Sequence, residues 1–196
     1  KAVELAPEEV IPHLHLGMHW LLKEEFDMAF NELEIAANLD PTNPVVAAQI
    51  GAVYEAKGEL TTAIQAYRAA AEVNPQDPKF WLLLARVCLE NEIHIEDIAL
   101  PAARNAAALD PHNPETLDAL GYAHYLLEDI NYAETFILRS LQLDPESAIA
   151  QYHLGLLRSH QNDPINAIAA LEMAYQLDPE GIIGSRAKRA LEIISH

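Results

Sequence analysis

The chain has 196 residues, 51 % of them hydrophobic, dominated by Ala, Leu, Glu and Asp with few β-branched residues, a composition that leans helical. Its 30 acidic residues against 12 basic ones give a net charge of −18, which repels phosphate backbones and argues against nucleic acid as a partner. Cys88 is the single cysteine, so no internal disulfide forms, and no apolar run approaches the roughly 20 residues that span a bilayer. A cytoplasmic setting is favoured, although no residue fixes it.

In chain order, the first stretch is AVELAP, residues 2–7, followed by HLHLGMHWLL, residues 13–22. His15 and His19 share one helical face, yet Leu16 stands where a zinc protease helix needs Glu. Any metal at His15 and His19 is therefore expected to be adventitious. From here the chain repeats itself. Asx-Pro pairs end at Pro41, Pro75, Pro111, Pro145 and Pro179, spaced 34, 36, 34 and 34 residues. Aliphatic-small pairs fall at Leu16-Gly17, Ile50-Gly51, Leu84-Ala85, Leu120-Gly121 and Leu154-Gly155. A third series is Ala29, Ala63, Ala99, Ala133 and Ala167. Each repeat thus reads as helix, short turn, helix, Asp-Pro turn. The small residues let two helices approach closely. The Asx-Pro pair stops the second helix, because proline lacks a backbone donor and restricts its predecessor. Asn43-Pro44, Asp77-Pro78 and Asn113-Pro114 start the next one.

The pattern divides the chain into five repeats, at 10–43, 44–77, 78–113, 114–147 and 148–181. The third holds two extra residues around Glu92–Ile95 and a proline, Pro101, inside its second helix. That helix is expected to start late or to kink, since a mid-helix proline costs roughly 3 kcal/mol. Counting back one period from Ala36, Leu39 and Pro41 reaches Ala2, Leu5 and Pro7, so residues 1–9 read as the tail of an earlier repeat, cut short. Residues 182–196 break the register. Ile183, Ala187, Ala190, Leu191 and Ile194 share a helical face, with Arg186, Lys188 and Arg189 elsewhere, which predicts a capping helix. The basic cluster could also dock an acidic partner.

These residues resemble the tetratricopeptide repeat, whose pattern runs W-x2-L-G-x2-Y, A-x3-F, P over 34 residues. Ala47, Ile50, Gly51, Tyr54, Ala63, Tyr67 and Pro75 carry it in the second repeat, and Trp81 fills the Trp slot of the third. The resemblance implies an all-α, right-handed solenoid of stacked antiparallel helix pairs, with first helices lining a concave groove. It places 25 residues in that groove, of which 17 are apolar. Among them Leu14, Met18, Leu21, Val45, Ala52, Leu82, Leu89 and Leu156 offer apolar area. Tyr122, Tyr125 and Tyr152 add hydroxyls, and Arg86 is a candidate anchor for a carboxylate or carbonyl. The Lys and Asn of the carboxylate clamps in this family are absent: Leu14, Met18 and Ala52 stand there instead.

No phosphate loop, nucleophile elbow or Cys-x-x-Cys is present, no carboxylate pair is expected in apolar surroundings, and His153 has no carboxylate at helical spacing. No cofactor is implied. The leading expectation is a non-enzymatic module that takes an amphipathic helix or peptide from a protein partner. Self-association through the groove or the N-terminal edge is the alternative, and an apolar small ligand ranks below both.

Overall fold

The structure, a computed structural model, describes residues 8–194; the AVELAP segment lies outside them. The described residues hold helices and turns, with no strand. They fall into two compact units, Lys1–Asn91 and Glu92–His196. The N-terminal unit contains α1 (Val10–Leu22), α2 (Phe26–Leu39), α3 (Pro44–Ala56), α4 (Leu60–Val73) and α5 (Pro78–Glu90). The C-terminal unit begins with a π-helical turn (Ile95–Ala99). It continues through α6 (Leu100–Leu109), α7 (Pro114–Leu126), α8 (Ile130–Leu143), α9 (Ala148–His160), α10 (Pro164–Leu177) and α11 (Ile182–Ile194).

Local chemistry sets these boundaries. Asn43 accepts hydrogen bonds from the Val45 and Val46 amides at 3.1 and 3.3 Å, and Asp77 and Asn113 accept from Lys79 and Glu115 at 3.0 and 2.9 Å. Each such cap satisfies amides the helix leaves orphaned, and the proline that follows loses nothing at the first helical position. The turns inside each pair all use one left-handed residue, namely Glu24, Gly58, Glu92, Glu128 and Asn162, with φ between 53° and 77°.

The third repeat absorbs its extra residues in two places. One lengthens the turn, where His94 becomes a second left-handed residue at φ 51°. The other widens the helix into the π turn, in which the Ala99 amide reaches back to the His94 carbonyl at 2.9 Å. Pro101 follows in the first turn of α6. A wider turn there relieves the clash between a proline ring and the carbonyl four residues earlier.

Packing follows from the small residues. A Cβ on Gly17 meets Leu33 Cγ at 2.6 Å, and one on Gly121 meets Ile137 Cγ1 at 2.8 Å, so the helices of a pair close to distances only glycine permits. Leu33, Ile137 and Leu171 are fully buried by this approach. Each contributes about 1.5–3 kcal/mol of transfer free energy. In the N-terminal unit α1 touches α3 and α3 touches α5, while α2 and α4 do not meet. In the C-terminal unit α7 touches α9 and α9 touches α11, while α8 and α10 do not. First helices therefore form the tighter, inner layer of each unit.

The closing helix α11 lays Ala187, Ile183 and Leu191 against Leu171 and Ala174. Asp178 ties its start to the end of α10, accepting from the Ile183 and Gly184 amides at 2.9 and 3.2 Å. A Cβ on Gly184 stands 1.8 Å from the Asp178 carbonyl oxygen. Gly184→Ala is thus expected to pull α11 off its seat, lowering stability by about 2 kcal/mol in urea unfolding despite the gain in helix propensity.

Candidate interaction site

The inner face of the N-terminal unit exposes apolar side chains. Ile11, Met18, Leu22 and Val45 are 62 %, 37 %, 86 % and 42 % accessible. Leu21 and Ala52 are half-buried. Leu14, Leu82 and Leu89, which the sequence also places in the groove, are buried, Leu14 within the core formed with Ala29, Leu33 and Val53. Arg86 is exposed and forked onto Glu90 of its own helix, with Nε and Nη2 at 3.1 and 2.9 Å from Oε1. Beside it the Tyr67 hydroxyl donates to Glu55. Burial first, and that bond second, raise the Tyr67 phenol far above the usual tyrosine range.

The inner face of the C-terminal unit is aromatic. Tyr122 and Tyr125 project from α7, Tyr152 and Leu156 from α9, all half-buried. Tyr122 lies flat on His153, with ring centroids 3.8 Å apart and planes within 6°, and also stacks on Tyr125 at 5.9 Å. Beneath them His153 Nδ1 sits 3.0 Å from both carboxylate oxygens of Asp118. Both residues are buried, at 5 % and 4 %. Burial raises the phenols of Tyr122, Tyr125 and Tyr152, and the charge of Glu92 adds to it for each. All three therefore stay protonated and offer hydrogen-bond donors.

The Asp118–His153 pair adds a single buried carboxylate and an acidic partner for His153 that helical spacing does not show. That partner lies in the preceding repeat, 35 residues away, where spacing within one helix cannot reveal it. Two other buried histidines are paired in the same manner, His13 with Glu32 at 2.7 Å and His124 with Asp129 at 3.1 Å. His15 and His19 are both exposed. Among the described residues no three potential ligands gather to hold a metal, and no helix is long and apolar enough to cross a membrane.

An antiparallel-pair stack with an open inner face defines a helical-repeat scaffold. Models of the tetratricopeptide repeat match residues 44–87 and 130–182. The chain is a tetratricopeptide repeat protein, and that family is a scaffold family rather than an enzyme family. It is 24 % identical to the BBSome complex member BBS4 of Bos taurus over 91 % of its own length and 34 % of that protein. It is 27 % identical to the cell division cycle protein 16 homolog of Homo sapiens, over 93 % of its length and 28 % of that protein. It thus spans only a minor part of each. Among solved structures it resembles YrrB, a TPR protein with an unusual peptide-binding site, with a TM-score of 0.68 at 21 % identity and 96 % coverage of both chains. It also resembles the type IV pilus biogenesis factor PilW, with a TM-score of 0.77 at 16 % identity, covering 93 % of this chain and 86 % of that one.

Two predictions follow from the aromatic face. His153→Ala leaves the Asp118 carboxylate buried without a partner and is expected to cost about 3–5 kcal/mol, whereas the Asp118→Leu/His153→Phe pair recovers most of that loss; chemical unfolding measures both. The raised phenols also set an alkaline limit. Their folded pKa lies above the unfolded one, so the stability they contribute is complete below about pH 10 and falls as pH rises beyond it. Absorbance at the tyrosinate band is expected to show Tyr122 protonated at about pH 11 in the folded chain, with Tyr122→Phe removing amplitude only from the unfolding phase.

Proposed function

We propose that the chain is a protein–protein interaction module whose inner faces take an amphipathic helix or an extended peptide from a protein partner. The observation that carries this reading is the exposure of Ile11, Met18, Leu22 and Val45 on first helices of the N-terminal unit. Large apolar side chains grouped in this way mark interaction surfaces. Leu21, Ala52 and Leu156 extend the surface, with Leu14, Leu82 and Leu89 shaping it from beneath. Tyr122, Tyr125 and Tyr152 supply rigid area with a polar tip, the currency of recognition surfaces. Arg86, held by Glu90, adds a positive charge to this surface. The net charge of −18 favours basic flanks on the partner. Relatives named as complex members and subunits, among them the BBSome and the anaphase-promoting complex, support an assembly role.

A Met18→Asp/Val45→Asp/Tyr125→Asp variant is expected to retain its helical circular dichroism and lose partner capture from the source cell. Undiminished capture sinks the proposal. A second reading, self-association, is favoured by Ile11 and Leu22, the most exposed apolar side chains of α1. Light scattering over about a hundredfold dilution decides it: an unchanging monomer mass rules it out.

A further inference from the structure

We propose that the inner face of the C-terminal unit reads an anion: it takes an extended partner peptide that sets a carboxylate side chain on Arg186, beside an aromatic or aliphatic residue packed on the tyrosine rings. The inference rests on the interaction-module reading and names the chemistry of its partner.

Arg186 comes from α11, not from a first helix. It precedes Ala187, which is buried against Leu171 and Ala174, and the Tyr152 ring packs on that same cluster. Its side chain is half-buried, one residue from that cluster. The guanidinium is close enough to draw down the phenols of both Tyr122 and Tyr152 against the rise that burial imposes. Among the described residues Arg186 and Lys188 form no ion pair. Arg158, by contrast, is spent on Glu134 at 2.7 Å. A chain with 30 acidic residues that leaves Arg186 unsatisfied beside three protonated phenols has gathered donors there and few acceptors. Glu92 is the one carboxylate felt by all three phenols.

Such a cluster discriminates by charge. A carboxylate meets a fork of guanidinium N–H groups flanked by phenolic O–H groups, each of which donates to it. A partner lysine instead meets the like charge of Arg186. The rings are fixed before binding. Tyr122 is clamped on His153, which Asp118 holds from below. Little side-chain freedom is then lost on association. The long-range field of the chain repels acidic partners, so the local cations select a single carboxylate within an otherwise apolar or basic segment, not an acidic tract.

A random peptide library displayed on phage and panned on the whole chain tests this. The selected pool is expected to be enriched in Asp or Glu adjacent to Phe, Leu or Tyr. A synthetic peptide from that pool is expected to bind Arg186→Gln about tenfold more weakly, and with a shallower dependence on salt. Arg186→Lys keeps the charge and retains part of that affinity, and Arg186→Glu shifts selection to Lys and Arg. Circular dichroism melts confirm that each variant is folded. A pool without acidic enrichment, or equal binding within about twofold by Arg186→Gln, overturns the proposal. If that pool is still lost in Met18→Asp/Val45→Asp/Tyr125→Asp, the module reading stands alone. If the wild-type chain enriches no peptide, both readings fall.

Discussion

Everything in this fold depends on how closely two helices of a pair can approach. At Gly17, Gly51, Gly121 and Gly155 the missing side chain lets a neighbour from the second helix occupy the space a Cβ needs: Leu33, Tyr67, Ile137 and Leu171 in turn. Those neighbours become fully or almost fully buried, and the interior is built around them. Alanines complete the approach from the other side, Ala29, Ala63, Ala133 and Ala167 all being inaccessible to solvent. Stability is then a sum of similar pair and neighbour terms rather than the property of one central core. A net charge of −18 is tolerated because the charges sit outside this seam.

The same constraint explains what could be read from the sequence. Gly, Ala and Asx-Pro slots answer to backbone geometry, so they recur at a fixed period and expose the repeat, its turns and its helix pairs. Side-chain burial at the inner face obeys a different rule. Leu82, like Leu14, stands three residues before the small residue of its repeat and is buried, whereas Met18 stands directly after it and meets water. Leu82 is 7 % accessible and Met18 37 %. The Asp118–His153 pair escaped for a related reason: its two halves lie in adjacent repeats, at neighbouring but unequal slots. Arg186 escaped because α11 has left the repeat register, so no slot predicts what it faces.

The two inner faces are chemically distinct. The N-terminal unit offers flexible aliphatic side chains and Arg86, which is engaged by Glu90. The C-terminal unit offers stacked rings over the buried Asp118–His153 pair. A surface of methionine and leucine adapts to many shapes, whereas clamped rings select among few. If the proposed binding holds, the N-terminal face is the permissive one and the C-terminal face the discriminating one.

The buried Asp118–His153 pair has a consequence for the lineage of the molecule. Repeats that pack only through glycine and alanine are interchangeable, so duplication, deletion or shuffling leaves a foldable chain. A carboxylate in one repeat that needs an imidazole in the next removes that freedom. Inserting a copy between them strands both groups in an interior that penalises an unpaired charge. The fourth and fifth repeats are in this sense addressed to each other. The pair converts a modular tandem array into an ordered one, and it does so directly beneath the tyrosines.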